Sequence, residues 1–167
     1  ITHVRKLVDC RELLAAFLEE TAALGSKREV LLVQLPPKLA YDAAVARAFF
    51  TTLQSLYGGT VVLEPRHAGW FDDDANAWLE AIGVARVAAD PAPVAQAAFP
   101  GGSRSLTYIR LHGSPRVYYA SYDDAAIASI AHRLRAAPNA WCIFDNTASG
   151  AAASDALRLV EQLRAQT

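Results

Sequence analysis

The 167-residue sequence has no methionine, only two cysteines and no strong excess of either charge. Its 16 Lys and Arg residues nearly balance its 17 Asp and Glu residues, which argues against a strongly basic nucleic-acid-binding domain. Two cysteines are too few for a disulfide-stapled scaffold. With 53% hydrophobic and 20% charged residues, the composition excludes disorder and predicts one domain with a sizeable core.

Long hydrophobic runs are also missing. Val30 to Leu35 is one of the longest apolar stretches, far shorter than the roughly 20 residues of a membrane-spanning helix, so no membrane association is predicted. Cys10 lies in a helical pattern and Cys142 in an apolar run, which favours buried free thiols in a reducing compartment. The first residues, Ile-Thr-His, do not resemble a signal peptide. Together these features predict a cytoplasmic protein.

Five short apolar runs, rich in Val, Ile and aromatic residues, predict β-strands. Most do not alternate between apolar and polar residues, as is typical of parallel strands covered on both faces. The runs span residues 30–35, 60–64, 84–89, 106–111 and 140–144. Residues 91–105 contain three prolines and two glycines and predict a long connection, a candidate lid, with at most one short helix near residues 94–99.

Helical patterns separate most of these strands. Asp9 with Glu12 resembles a capping box for a helix whose apolar stripe runs to Leu24 and which ends at Gly25. Further helices are predicted to start near four polar residues: Asp42, Asp72, Asp123 and Ser154. Alternating strands and helices predict an α/β fold, and length and pattern alone favour a five-stranded doubly wound parallel sheet.

The richest chemical cluster follows the second run, at Glu64-Pro65-Arg66-His67-Ala68-Gly69-Trp70. Ligands of parallel α/β folds bind outside the carboxyl ends of the strands, so this cluster is a candidate site. Glu64 is a candidate base and Arg66 a candidate anion-binding group. His67 is a candidate proton carrier, and Trp70 a candidate stacking surface. The alternative is structural: an ion pair between Glu64 and Arg66 holds the loop, and Trp70 fills the core.

Other strand ends add polar side chains to this candidate site. Arg110 and His112 share one face of the fourth strand, which favours an anionic ligand, although Arg110 could equally neutralise Glu64 in the interior. Gln34 ends the first strand. Asp145 and Asn146 follow the fifth and point to opposite faces. No motif spacing predicts a metal site, and no cofactor is indicated.

The strings ITHVRKL, LLVQLPP, EPRHAGW, YIRLHGSPR and WCIFDNTASGAA resemble, in this order and spacing, the YecE-like proteins, domain of unknown function 72. The resemblance covers essentially the whole chain. It implies a TIM-type (β/α)8 barrel of which residues 1–167 supply about the five C-terminal strands. The family's Gly-Thr-Ser-x-Trp and Glu-x-Asn strands are missing here, so the expectation is a single barrel domain lacking its N-terminal strands.

The resemblance brings no established activity, and the fold-level likeness to endonuclease and sugar-isomerase barrels is an analogy. It implies that the strand-end residues converge at one mouth; these are Gln34, Glu64, Arg66, His67, Trp70, Arg110, His112, Asp145 and Asn146. The catalytic candidates are Glu64, His67, His112 and Asp145. The predicted ligand is a small anion, either a phosphate compound or a nucleic-acid-derived molecule, and a hydrolase- or isomerase-like activity is one hypothesis. A non-catalytic binding or regulatory domain is the other.

Overall fold

A computed structural model describes residues 1–165 of the chain. The α-helices are α1 (Thr2–Arg5), α2 (Arg11–Glu20), α3 (Ala43–Leu56), α4 (Asp73–Ala81), α5 (Asp124–Arg135) and α6 (Ala151–Arg164). The strands are β1 (Val30–Gln34), β2 (Thr60–Glu64), β3 (Ala85–Arg86), β4 (Ala88–Asp90), β5 (Gly101–Gly102), β6 (Thr107–Leu111) and β7 (Ala140–Phe144). Short 3-10 helices span Ala22–Lys27, Ala68–Trp70 and Ala95–Ala98.

The strands form two sheets. The first has the order β1-β2-β3-β5, in which β5 runs antiparallel to β3, and the second has the order β4-β6-β7. The other pairings are parallel. Four of the five predicted runs are single strands, whereas the third is divided between the two sheets.

The expected TIM-type barrel is therefore wrong for this chain. The physical reason lies at Val87, where the third apolar run changes partner: Ala85 and Arg86 pair with β2, whereas the residues from Ala88 onward pair with β6. The antiparallel β5 then occupies the free side of β3. Within residues 1–165 both sheets stay open, with β1 and β7 unpaired on their outer sides. The alternative expectation, a five-stranded doubly wound parallel sheet, is consistent with these open and mostly parallel sheets, although the third run is divided and the short antiparallel β5 is added.

Three of the predicted helix starts are confirmed by side-chain caps. Asp42 accepts hydrogen bonds from the backbone N–H groups of Ala44 and Val45, which begins α3. Asp72 and Asp123 cap α4 and α5 in the same way. Each cap satisfies backbone donors that have no partner within the helix.

The other two predicted starts are wrong. Asp9 has a φ of 50° and makes no cap, and α2 begins after Cys10. Leu24 lies outside α2, in the 3-10 helix that follows. Ser154 lies inside α6, which begins after Gly150 with a φ of 79°, in the left-handed region that glycine adopts without strain. The short helix predicted near residues 94–99 is present as Ala95–Ala98.

Apolar side chains fill three clusters. One lies between the first sheet and helices α2 to α4 and includes Phe50, Leu63 and Trp70. A second joins the other sheet to α5 and α6. The third contains residues of both sheets, among them Val62 and Tyr108, and so packs the two sheets against each other.

Both cysteines are unpaired; Cys10 is buried and Cys142 is half-buried. None of the helices within residues 1–165 combines the length and the apolar character that crossing a bilayer requires.

Candidate functional site

Polar side chains from both sheets meet at the carboxyl ends of the parallel strands. In the first sheet, Gln34 and Glu64 are register partners at the ends of β1 and β2. In the second, Arg110 lies near the end of β6, and Asp145 directly follows β7. Because successive side chains of a strand point to opposite faces, Arg110 and His112 point to the same side, as predicted. The strand ends bring these five residues and Arg66 together.

Glu64 is the centre of this cluster. Its side chain is 1% exposed, and it accepts hydrogen bonds from Nη2 of Arg66 at 3.0 Å and from a guanidinium nitrogen of Arg110. Its Oε1 also lies 3.1 Å from Nε2 of His112. The carboxylate therefore has two cationic partners and an imidazole, as a buried charge requires.

These partners change the acidity of Glu64. Burial by itself raises the pKa of Glu64, but the hydrogen bond from His112 and the charge and hydrogen bond of Arg110 outweigh it, lowering the pKa from 4.5 to about 2. Glu64 is thus a fixed anion near neutral pH. A carboxylate with so low a pKa is a weak proton acceptor.

Asp145 binds the same two partners from the other side. Its Oδ2 accepts from Nη2 of Arg110 at 2.7 Å and lies 2.9 Å from Nδ1 of His112. Both ring nitrogens of His112 therefore face carboxylate oxygens, and the imidazolium form can donate to both. The ring is 4% exposed, so its orientation is fixed by Glu64 and Asp145.

Gln34 is the last member of the cluster and contacts both of its arginines. With its amide oxygen turned towards the guanidinium groups, it accepts from Arg110 at 2.9 Å and from Arg66 at 3.0 Å. This orientation is assigned from the hydrogen-bond network, because the opposite one points the amide donors at guanidinium donors. Gln34 therefore helps to position both arginines.

Arg66 borders a cavity of about 220 Å³ beside the cluster. The other polar walls are Glu64 and His112, and Pro91 and Pro93 of the long connection close one side. The Arg66 side chain is 28% exposed, compared with 12% for Arg110. Arg66 is therefore the more accessible of the two guanidinium groups.

Two predicted site residues have other surroundings. His67 is the N-cap of the 3-10 helix Ala68–Trp70, and its Nδ1 accepts from the backbone N–H of Gly69 at 3.1 Å. Trp70 is 1% exposed, donates through Nε1 to the Leu39 carbonyl at 3.0 Å and packs edge-on against Tyr41. These are the contacts that the structural alternative for this loop requires.

Asn146 faces away from the cluster and belongs to a second, buried network. Its Nδ2 donates to the Ala120 carbonyl at 2.9 Å and to Oδ2 of Asp155 at 2.7 Å. Asp155, which is fully buried in α6, also accepts from the hydroxyl of Ser121 at 2.6 Å and the N–H of Tyr122 at 3.1 Å. Burial raises the pKa of Asp155, but its hydrogen bonds outweigh this and lower it.

Sequence reasoning missed Asp155 as the residue that fixes the loop before α5. A signal was present: Asp155 lies four residues before the buried Leu159, and side chains at this spacing share one helix face. A carboxylate on the buried face of a helix needs partners, which the loop supplies.

The loop after β6 covers the cluster. Tyr118, with a φ of 68°, packs edge-on against His112 with ring centroids 6.0 Å apart. Arg116 lies over the ring of Tyr119 at 3.9 Å. Both tyrosines remain more than 40% exposed, so the loop presents aromatic surface beside the strand ends.

Glu64, His112 and Asp145 have the donor types of a metal site, but guanidinium groups occupy both carboxylate oxygens of Glu64 and Oδ2 of Asp145. No group of three or more His, Cys, Asp or Glu side chains suited to a metal ion occurs within residues 1–165.

The fold and the cluster define an α/β protein with a buried ion-pair network at the ends of its parallel strands. The family model for the protein of unknown function DUF72 matches residues 1–167, and the chain belongs to this family. The YecE-like resemblance carried by the sequence strings is thereby confirmed, since both names denote the same family.

Solved structures support the same fold. A DUF72 family protein from Thermotoga maritima MSB8 is 20% identical with a TM-score of 0.77, and the match covers 98% of this chain and 70% of that one. Two crystal structures of a DUF72 family protein from Enterococcus faecalis V583 are 18% and 20% identical, both with a TM-score of 0.75. They match 94% and 92% of this chain and 67% and 68% of their own chains. No curated protein matches the sequence.

Proposed function

We propose that the cavity beside Arg66 binds a small anionic ligand, a phosphate compound or a nucleic-acid-derived molecule. The observation that carries this proposal is a partly exposed guanidinium at the cavity wall. Within residues 1–165 Arg66 binds its acceptors, Glu64 and Gln34, through Nη2 alone, and its side chain is 28% exposed where it borders the cavity. Guanidinium groups bind phosphate and carboxylate oxygens through paired hydrogen bonds.

The charges of the cluster allow an anion to bind. Glu64 and Asp145 supply two negative charges, and Arg66 and Arg110 supply two positive ones, so the ion pairs present no net negative charge to an entering anion. An anion in the cavity would be partly shielded from water, and its attraction to Arg66 is stronger in such surroundings than in bulk water.

The size of the cavity limits the ligand. A volume of about 220 Å³ suits a phosphate group or a small acid more than a whole nucleotide, which belongs in pockets of about 300–1,000 Å³. A larger ligand would place its anionic group in the cavity and extend along the exposed Tyr118 and Tyr119. This is the form in which a nucleic-acid-derived ligand fits the proposal.

The roles of the residues follow from their surroundings. Arg66 contacts the ligand, Gln34 and Glu64 position Arg66, and Asp145 with Arg110 fixes the cluster. Glu64 acts here as the counter-ion rather than as the base, because its pKa of about 2 and its occupied oxygens suit a permanent charge. The non-catalytic binding function is therefore favoured over general-base chemistry through Glu64.

Calorimetric titration tests this proposal with inorganic phosphate, glucose 6-phosphate and a short single-stranded oligonucleotide. Saturable binding of at least one probe is expected, weakened about tenfold or more by Arg66→Ala, since hydrogen bonds to charged groups contribute on that scale. Arg11→Ala, at an exposed arginine of α2, is the matched control and should bind normally. Absence of saturable binding, or equal affinity in the wild type and Arg66→Ala, would overturn the proposal.

A second candidate function is a hydrolase- or isomerase-like reaction with His112 as the proton-transfer group. It is favoured by the 2.9 Å contact between Nδ1 of His112 and Asp145, because a carboxylate commonly orients a catalytic imidazole. Turnover of the phosphate probes, with and without Mg²⁺, would support it if His112→Gln abolished turnover while binding persisted. Binding without turnover under all of these conditions would leave only the first function.

A further inference from the structure

Arg86 lies on the other side of the first sheet from the cluster. It belongs to β3, where its register partners are Leu63 of β2 and Gly101 of β5. Since register partners point to the same face and neighbours along a strand to opposite faces, Arg86 points away from the side that Glu64 faces. Any role of Arg86 is therefore independent of the function proposed for the strand ends.

The guanidinium of Arg86 is buried without a counter-ion. Arg86 is 6% exposed, and no carboxylate oxygen within residues 1–165 lies within 4.0 Å of its nitrogens. Nη1 donates to the Gln96 carbonyl at 3.3 Å, and the group lies 4.6 Å over the ring of Phe71. The buried Nε has no acceptor among the described residues. Burial lowers the pKa of Arg86, which reflects the cost of an uncompensated charge.

A cavity of about 400 Å³ adjoins Arg86, between α4 and the segment around β5. Its walls include Phe71 and Asn76 from one side and Gly101 and Ser103 from the other. A side chain at position 101 would place its Cβ 2.2 Å from Nη2 of Arg86, so only glycine leaves room there for the guanidinium. The position of the Arg86 side chain thus depends on the glycine at position 101 as well as on its own packing.

The charges around the cavity select among anions. Arg86 and the exposed Arg104 are positive, while Asp73 and Glu80 are negative, and Arg104 lies 3.9 Å from Glu80. A phosphate dianion entering this cavity would meet two carboxylates at its walls. A carboxylate carries a single charge and matches the planar donor edge of a guanidinium.

We propose that this cavity binds a small monocarboxylate, whose carboxylate pairs with Arg86 and whose apolar part packs against Phe71. The volume lies within the range of small-molecule sites, about 300–1,000 Å³, and in its largely polar wall the buried guanidinium of Arg86 lies beside the apolar ring of Phe71. The ligand would supply the counter-ion that no carboxylate within residues 1–165 places against the Arg86 guanidinium.

NMR titration of the isotopically labelled protein tests this proposal directly. The Arg86 Nε–H signal, assigned by through-bond correlation to its own backbone, is followed during addition of sodium propionate at constant ionic strength. We expect a saturable shift of this signal, and an affinity at least about tenfold lower for Arg86→Gln than for the wild type. Arg11→Gln, the matched control, should bind propionate normally.

The wild-type titration keeps the test decisive even where Arg86→Gln does not fold. Inorganic phosphate is titrated in parallel as the competing class of anion. An Arg86 signal that does not respond to propionate would overturn the proposal, as would tighter binding of phosphate at this signal. A saturable propionate shift at Arg86 that phosphate does not reproduce supports it, whatever phosphate does at Arg66.

Discussion

At the residue scale, Glu64 shows how one buried charge organises a site. A carboxylate with 1% exposure would be strongly unfavourable alone, yet it remains ionised because Arg66, Arg110 and His112 surround it. Removing one partner of a buried ion pair leaves the other charges uncompensated, which is why such substitutions are costly.

The lowered pKa of Glu64 predicts a pH-dependent stability. Because the pKa is about 2 in the folded state and 4.5 ordinarily, ionised Glu64 stabilises the fold fully above pH 4.5, and this contribution declines as the pH falls towards 2. Glu64→Gln should therefore reduce the free energy of unfolding by about 3 kcal/mol near neutral pH, and by much less near pH 3. Urea unfolding, followed by tryptophan fluorescence across this range, measures the difference.

Glu80→Gln provides the matched control. Glu80 is half-exposed and its nearest cation is 3.9 Å away, so its loss should change stability by less than about 0.5 kcal/mol at any of these pH values. A Glu64→Gln effect that stayed constant from neutral to acidic pH would contradict the assigned charge state.

At the scale of secondary-structure elements, the sequence predicts those features, such as helix caps, that depend only on residues nearby in the chain. The caps at Asp42, Asp72 and Asp123 could be predicted because an N-cap acts within three residues of its own position. The break at Val87 could not, because residues 84–89 form one apolar run, and only the competing partners β2 and β6 divide it.

The same distinction applies to the site. Arg110, His112 and Asp145 could be placed together because carboxyl ends of parallel strands lie at one edge. Trp70 is turned into the core by a three-residue 3-10 helix, a local bend that carries no sequence periodicity. Two partners of the buried Asp155, Ser121 and Tyr122, lie more than 30 residues away in the sequence, so only the tertiary structure identifies them.

The link between α6 and the loop before α5 gives a prediction at this scale. Asp155→Ala removes the acceptor for Ser121, Tyr122 and Asn146 and should destabilise the protein by about 3 kcal/mol. The loss should be concentrated in the loop, because the Tyr122 N–H would lose its acceptor and Ser121 and Asn146 would each lose one of theirs. Hydrogen exchange of the Tyr122 amide should therefore accelerate more than exchange in β1.

Asp124→Ala is the matched control for Asp155→Ala. Both carboxylates pair with Arg158, Asp155 at 2.6 Å and Asp124 at 2.8 Å, but the Asp124 side chain is 90% exposed. Its loss should cost less than about 1 kcal/mol and leave exchange at Tyr122 unchanged. Equal effects of the two substitutions would show that the buried network does not hold the loop.

At the scale of the whole molecule, the ion-pair cluster connects the two sheets. Glu64 belongs to the first sheet, whereas Arg110 and Asp145 belong to the second sheet and the segment after it. The apolar cluster around Val62 and Tyr108 also packs the sheets together, but apolar contacts are less directional than hydrogen bonds and fix the relative position of the sheets less tightly. The ion-pair cluster therefore has two roles: it forms the proposed anion site and it links the two sheets.

A double-mutant cycle between Glu64 and Arg110 measures this union. With Glu64→Gln and Arg110→Met, we expect an interaction free energy of about 1.5 kcal/mol or more, because the two charges are buried and in contact. The pair Glu80 and Arg104 is the matched reference, also a glutamate and an arginine but exposed and 3.9 Å apart, and should give a value near zero. Similar values for both pairs would mean that these charges add nothing to the apolar packing and to the chain continuity at Val87 that join the sheets. A large value for Glu64 and Arg110, accompanied by faster hydrogen exchange in both β2 and β6 of each single variant, would show that the charges at the strand ends hold the two sheets in register.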